Sequence, residues 1–425
     1  MSVVAEPGPT RRAPRAPGRV VVVGGGIVGL SCAWALQEWG IEVCVADRAH
    51  PGAGASWGNA GYVSPAMSAP LPEPQVLRHG IRAVVTPGSP VRLLASADPA
   101  LVRFVAAFAR SCTARAWQRG MAAYVALNDA VAASYERQHA GGVGEEVTAT
   151  DVLACFTDRR GAAGLLGELE AAAAAGQSVR VELLTGRQAR DLEPHLRPQV
   201  TSALRVLGQH YLDPSRYVVA LAESVAARGG EILEGRPVTA VRRRGDVVVA
   251  ESPAGELVGD AAVVATGAWL SDLARCHGVR VPVYAGRGYS FTVPCDGPLA
   301  APVYFPSVRI ALAPQRERVR VTGIMELGAP DAPARPGRVE SMVAAAEPLL
   351  SGVDWGARAD EWVGPRPLSA DGVPLVGETR TRGVYVAGGH GMWGVTLGPL
   401  TGLLLAEEIA TGAPPAALAP LDPCR

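Results

Sequence analysis

Arg19-Val20-Val21-Val22-Val23-Gly24-Gly25-Gly26-Ile27-Val28-Gly29 is the stretch that decides the fold. The β-branched run at 19–23 predicts a buried strand. Residues 27–39 follow as a helix, with Leu30, Ala33, Trp34 and Leu36 suited to its packed side and Gly40 as its stop. Residues 42–46 give the next strand, which completes a β-α-β unit. At the strand–helix junction Gly24, Gly26 and Gly29 suit a tight turn, close backbone approach to a pyrophosphate and close helix packing. The helix start, with Ile27 and Val28 in its first turn, offers free N–H groups and a positive dipole to phosphates. Asp47 ends the second strand where a ribose-binding carboxylate is expected, and Arg48 follows it. The stretch therefore predicts a dinucleotide site. Alone it does not choose between flavin and nicotinamide. Its N-terminal position favours FAD, and so does the polar loop at 52–61, where Ser56, Asn59, Ala60 and Gly61 can reach a pyrophosphate and a flavin.

The chain has 425 residues, 48% hydrophobic and 19% charged, enough for two to three domains with a sizeable core. Acidic and basic residues balance at 40 each, which argues against broad binding to nucleic acid. There is no lysine, so Schiff-base chemistry and an ordinary pyridoxal phosphate enzyme are excluded. The seven cysteines form no Cys-x-x-Cys pair, and their odd number suits a reducing cytoplasm. No metal-ligating histidine pair, P-loop or serine nucleophile motif occurs, so no metal is expected. Residues 1–18 read as a disordered tail; Arg11-Arg12 is followed by no apolar segment of an export signal. No run reaches the roughly 18 apolar residues of a membrane span, which leaves only peripheral contact at the inner membrane face.

Further along, helices are expected at 101–108, 115–139, 161–176, 216–228 and 396–411, and buried strands at 231–233, 261–265 and 384–387. Residues 65–99 read as irregular and proline-rich, 238–258 as a hairpin, 281–324 as a second, strand-rich sheet, and 328–337 as a linker. The expected fold is α/β. A Rossmann-like FAD-binding domain of the glutathione-reductase type (19–75, 205–276 and 360–412) is interrupted by an α+β substrate domain with a large mixed sheet (76–204 and 277–359). Residues 413–425 are left as a tail.

Several segments resemble one family. Ala55-Ser56-Trp57-Gly58-Asn59-Ala60-Gly61-Tyr62-Val63-Ser64-Pro65 is similar to the Ser-x-x-Asn-Ala-Gly segment of bacterial D-amino-acid dehydrogenases. These belong to the D-amino-acid oxidase superfamily, with glycine oxidase and sarcosine oxidase. Glu193-Pro194, Asp213-Pro214, Ala265-Thr266-Gly267-Ala268-Trp269, Gly364-Pro365-Arg366-Pro367 with Asp371-Gly372, and Gly388-Gly389-His390-Gly391 continue the likeness. Residues 75–180 and 280–350 match poorly and should line the substrate pocket. Pro365 stands where the family often has leucine. Asp371-Gly372 reads as a hairpin turn.

The resemblance implies non-covalent FAD, since no cysteine lies in 364–377. It extends the cofactor set to Val238, Thr266, Gly267, Trp269, Gly389, His390, Gly391, Gly394 and Thr396, with a helix start stabilising the charge of the reduced ring. Arg366 would hold a substrate carboxylate through two parallel hydrogen bonds; a structural salt bridge is the alternative. Tyr211 and Tyr289 are candidates for the pocket, with core packing as the alternative. The implied reaction is oxidative deamination of a small amino acid, D- or glycine-like, by hydride transfer from the α-carbon to flavin N5. The imine would hydrolyse to a 2-oxo acid and ammonia. A secondary-amine enzyme acting on sarcosine-, proline- or hydroxyproline-like substrates, a non-catalytic FAD-binding subunit and a nicotinamide dehydrogenase are the rivals. The electron acceptor, oxygen or a quinone or other carrier, stays open, as does the oligomeric state.

Overall fold

The opening unit forms strand Arg19–Val23, helix Ile27–Glu38 and strand Glu42–Ala46. The computed structural model describes residues 13–14, 16–74, 76, 91–93 and 98–425. Most of the tail expected at 1–18 and part of the stretch expected at 65–99 lie outside the described residues. Arg19–Val23 pairs in parallel with Glu42–Ala46 on one side and Ala261–Val264 on the other. Glu231–Leu233 and Val384–Gly388 extend this parallel sheet, and Leu375–Glu378 closes it antiparallel as the sixth strand. Valines alternate onto two apolar layers: Val20 and Val22 pack under the helices, Val21 and Val23 on the opposite side. A ligand of such a sheet sits beyond the carboxyl ends of its strands, beside the point where strand order reverses.

The last long helix, Gly394–Thr411, lies directly on Ile27–Glu38. A Cβ added to Gly402 would stand 2.4 Å from the carbonyl carbon and oxygen of Ser31, so the two backbones touch there. Pro399 lies inside this helix and has no N–H for the carbonyl of Val395. The Tyr135 hydroxyl donates to that carbonyl instead, which satisfies it without breaking the helix.

The second sheet has ten strands. Its Ala359–Ser369 strand contains Pro365 and Pro367, which only an edge position tolerates, and it does lie at the edge, paired to Val283–Pro294. Arg318–Leu327 lies on the other side of Val283–Pro294. Strands Thr148–Phe156 and Ser202–Tyr211 complete the far half, and the short Tyr62–Val63 joins them. Residues 62–63, 205–211 and 360–369, expected in the cofactor domain, thus pair into the larger sheet. Residue-by-residue pairing with neighbouring strands overrides their position in the sequence.

Other details differ from expectation. The helix expected at 115–139 is two, Ala114–Asn128 and Val131–Ala140. Asn128 turns inward at the break, where its amide bonds Ser68 O and Gln177 Oε1. The hairpin at 238–258 is a three-stranded sheet of Ala240–Arg244, Val247–Glu251 and Leu257–Gly259. Asp371-Gly372 turns the chain from the ten-stranded sheet into the six-stranded one, so the flanking strands are not a paired hairpin. Residues 413–425 are packed rather than loose: Leu418 and Leu421 are buried, and Arg425 forms an ion pair with Asp371 at 2.8 Å. No helix among the described residues is long and apolar enough to cross a membrane.

Glu408 on the Gly394–Thr411 helix is buried; its Oε1 accepts the Glu378 N–H at 3.2 Å, and its Oε2 has no partner. Burial pushes its pKa from 4.5 up to about 7. A folded-state pKa above the unfolded one favours folding fully at low pH, and that contribution is lost as pH rises through about 7. Glu408→Gln should therefore stabilise the protein at pH 8.5 more than at pH 5, by on the order of 2–3 kcal/mol. Thermal unfolding at the two pH values checks this, and equal effects at both would contradict it.

Candidate active site

The glycine turn is built by contact. A Cβ on Gly24 would lie 2.4 Å from Ala265 O, and one on Gly29 would lie 2.0 Å from Gly24 O, so packing alone demands glycine at both. Gly26 is different. A Cβ there would meet nothing nearer than Ser56 Oγ at 3.4 Å, so the protein leaves space that a ligand backbone contact can use. Ser56 Oγ also accepts the Ile27 N–H at 3.0 Å, which ties the loop at 52–61 to the start of the first helix. The remaining first-turn amides, of Val28 and Gly29, have no intrahelical acceptor. Asp47 pins the turn: its Oδ2 accepts from Gly25 N at 2.7 Å and its Oδ1 from Ala49 N at 2.8 Å. Each oxygen keeps a lone pair for a ribose hydroxyl.

The second half of the cradle closes around these atoms. Asn59 Oδ1 holds the Gly61 N–H at 2.9 Å, and Ala60 lies between them. Thr396 Oγ1 donates to Tyr62 O at 3.2 Å and accepts from Ser64 N at 3.3 Å, which joins the C-terminal helix to the same loop. Gly394 opens that helix, and its start lies beside Ile27 through Gly398. Thr266 Oγ1, beside the left-handed Gly267, is buried without a partner. Arg48 stacks 3.7 Å from the centroid of Trp269, and Asp331 accepts from both side chains. Half-buried Val238 packs on the adjoining apolar layer, next to Arg236, whose N–H donates to Asp47 O at 2.7 Å. Free first-turn amides, the space left at Gly26 and the spare lone pairs of Asp47 are what a bound dinucleotide requires, so the residues present fit FAD.

The loop Gly389-His390-Gly391 approaches the ten-stranded sheet. The Gly391 N–H donates to Pro367 O at 2.8 Å, and His390 bridges to Leu368. His390 Nε2 lies 2.9 Å from Thr401 Oγ1, while its Nδ1 has no partner. Burial lowers its pKa to about 4, so it is neutral at physiological pH and is a hydrogen-bonding group rather than an acid.

Arg366 stands next to this loop, opposite Gly286 in the neighbouring strand. Its Nη1 donates to Ile324 O at 3.0 Å. A Cβ on Gly288 would lie 2.1 Å from the guanidinium carbon, so glycine there makes room for the side chain. Part of the surface of Arg366 stays accessible, yet the group lies deep enough for desolvation to lower its pKa to about 10. Among the described residues no carboxylate lies within ion-pair distance of it. The structural salt bridge weighed as the alternative is therefore not formed.

The two tyrosines are not brought to Arg366. Alternation puts Tyr289 on the opposite face from Gly288, within an apolar cluster, with its hydroxyl 3.0 Å from Glu326 Oε2. It lines a separate cavity of about 390 Å³ with Arg335 and Val363. Tyr211 is half-buried at the far half of the sheet, paired with Tyr62 and Thr148. The residues that do share the Arg366 face were not anticipated. Trp362 lies over Gly364 and 6.5 Å from the Trp57 ring, and a Cβ on Gly58 would lie 2.8 Å from Ser290 Oγ. Arg320 lies on that face too. The loop at 52–61 therefore covers the sheet, and only the even-residue phase of these strands could have hinted at it.

The family model described as FAD dependent oxidoreductase matches residues 19–408. The chain is 30% identical over 405 residues to a D-amino acid dehydrogenase of Rhizorhabdus wittichii, covering 93% of this chain and 97% of that protein. It is 31% identical over 413 residues to one of Cereibacter sphaeroides, covering 93% and 92%. Among solved structures, glycine oxidase from Geobacillus kaustophilus matches with a TM-score of 0.74 at 22% identity, over 96% of this chain and 98% of its own. L-proline dehydrogenase from P. horikoshii matches with a TM-score of 0.67 at 19% identity, over 96% and 98%. At these identities the structural matches speak for the fold alone.

Proposed function

The chain belongs to the DAO family of FAD-dependent oxidoreductases, and from that premise we propose that it oxidatively deaminates a small D-amino acid. It is an oxidoreductase acting on CH–NH2 groups, and its cofactor is FAD. The observation that carries the substrate class is Arg366, a desolvated guanidinium with no carboxylate partner among the described residues. A buried unpaired cation is costly unless an anion joins it. The relatives' name, D-amino acid dehydrogenase, supports the D-configuration, and we propose a quinone or other carrier rather than oxygen as electron acceptor.

Bound FAD supplies the acceptor for the hydride that leaves the substrate α-carbon. The residues of the chain do the rest. Gly24 to Gly29, Ser56 and Asp47 hold the dinucleotide, without a covalent link, since 364–377 contains no cysteine. Arg366 binds the carboxylate and fixes the α-carbon. Gly288 leaves room for its guanidinium, and Trp57 and Trp362 keep water from the face. Neutral His390 does not protonate the substrate amine. That amine must be uncharged to release hydride, so the rate rises with pH until it is deprotonated. The product imine then hydrolyses in water to a 2-oxo acid and ammonia.

Anaerobic mixing of the holoenzyme with D-amino acids, L-amino acids, glycine and N-methyl or cyclic amines tests this reading. Small D-amino acids should bleach the flavin and their L-isomers should not. Re-admitted air should restore the colour slowly, and a quinone quickly. Bleaching by secondary amines alone would transfer the site to that class, and no bleaching by any would leave a binding protein.

A further inference from the structure

Arg366 makes one hydrogen bond among the described residues, from Nη1 to the carbonyl of Ile324 at 3.0 Å. The residue that supplies this carbonyl is strained. Ile324 has φ +59°, a left-handed conformation that a β-branched side chain rarely adopts. Gly323 beside it, which could take such a conformation freely, does not. Strain of this kind persists only where the surroundings hold it. Here the Ile324 side chain is 9% exposed and belongs to the apolar cluster of Tyr289, Phe291 and Met342.

The strand pairing shows where the strain arises. Between the pairs Arg287–Glu326 and Tyr289–Gly323, Gly288 alone stands against Ile324 and Met325, which makes a β-bulge. Gly288 is also the residue whose missing side chain makes room for the Arg366 guanidinium. On its other side it pairs with Gly364. Bulge, guanidinium and the two glycines therefore meet at one point of the sheet. A regular ladder there would need neither an extra residue nor a left-handed isoleucine. Arg320, on the same strand, has no comparable opening. It is 2% exposed with its guanidinium carbon 4.9 Å from the Trp57 ring centroid, whereas part of Arg366 stays accessible.

We propose that the bulge at Ile324 positions Arg366 for its substrate. The Ile324 carbonyl takes Nη1 and fixes the rotation of the planar fork. The edge formed by Nε and Nη2, which has no partner among the described residues, is then presented for two parallel bonds to a carboxylate. The buried side chain anchors the strained backbone from the Tyr289 face. Ile324 is a positioning residue: it acts through Arg366 and does not touch the substrate. The proposal rests on the reading of Arg366 as the carboxylate-binding group.

The test compares FAD-loaded variants on a carboxylate substrate and on an amine of the same shape without the carboxylate. Glycine takes the left-handed conformation without strain, so Ile324→Gly should melt lower through lost packing but keep the parent's KM. Proline holds φ at about −65° and cannot take it. Ile324→Pro should raise KM for the carboxylate substrate by about tenfold to a hundredfold, as a small misplacement of a binding group does. KM for the amine should stay as it was. In an Arg366→Ala background Ile324→Pro should add nothing, because the two residues act as one unit. If Ile324→Pro does not fold, an α-hydroxy acid in place of Met325 turns the 324–325 amide into an ester. That weakens the Ile324 carbonyl as an acceptor, leaves the isoleucine side chain in place, and should raise KM with the same selectivity. A proline or ester protein with bound FAD and unchanged KM, or with equal increases for both substrates, would show that the bulge serves packing alone. Unchanged KM in Arg366→Ala would instead overturn the carboxylate reading itself.

Discussion

Arg366→Ala raises KM for a carboxylate substrate by two orders of magnitude or more. Removing one partner of a desolvated, hydrogen-bonded charge pair costs about 2–5 kcal/mol, which is roughly 30-fold to several thousand-fold in affinity. The upper part of that range applies here, because the guanidinium is desolvated enough to lower its own pKa and no carboxylate among the described residues pairs with it. The loss should appear as KM more than as kcat where the carboxylate contact is equal in the ground and transition states. An amine of the same shape without the carboxylate should be oxidised equally by both proteins. Arg366→Lys should recover only part of the affinity, since an ammonium cannot make the two parallel bonds. The variant should fold at least as well as the parent, because it no longer buries an unpaired charge. Unchanged steady-state constants for the carboxylate substrate would end the assignment.

What could be read before the structure was local. The β-α-β unit was legible because a strand, a glycine turn and a helix are neighbours in the chain, and their apolar periods are short-range. Gly24 and Gly29 could be read as glycine positions, but not which contacts demanded them. Arg366 was reached through resemblance; the absence of a counter-ion is a property of tertiary contact. Of the two readings of Tyr289, pocket or core, the sequence could not choose, because a strand's phase decides its face; Gly288, not Tyr289, shares the face of Arg366. Arg320 alternates with Val319 and Val321 like a residue on a half-solvated strand. Its cover, Trp57, lies hundreds of residues away, so no local pattern marks it as buried. The edge strand Ala359–Ser369 was not expected for a similar reason: it contains two prolines, which a strand tolerates only at a sheet edge, and that edge is set by tertiary pairing.

Gly26→Ala and Gly29→Ala should fail in different ways, and the difference tests the dinucleotide cradle. A methyl group on Gly29 would lie 2.0 Å from the backbone oxygen of Gly24, so the turn must move. Overpacking against backbone costs about 1–3 kcal/mol or more, and Gly29→Ala should lower the melting temperature and lose FAD with it. Gly26 has φ −76° and ψ 173°, which alanine adopts without strain. Its nearest new neighbour would be Ser56 Oγ at 3.4 Å, a side-chain atom with some freedom to shift. The Gly26→Ala apoprotein should therefore melt within about 0.5 kcal/mol of the parent's stability. Its affinity for FAD should nevertheless fall by about two orders of magnitude, because the methyl group fills the space through which the backbone approaches the pyrophosphate. Thermal melts of the two apoproteins and fluorescence titration with FAD separate the cases. If Gly26→Ala binds FAD normally, the open space at Gly26 is not the phosphate site. If it unfolds as Gly29→Ala does, that space is structural after all.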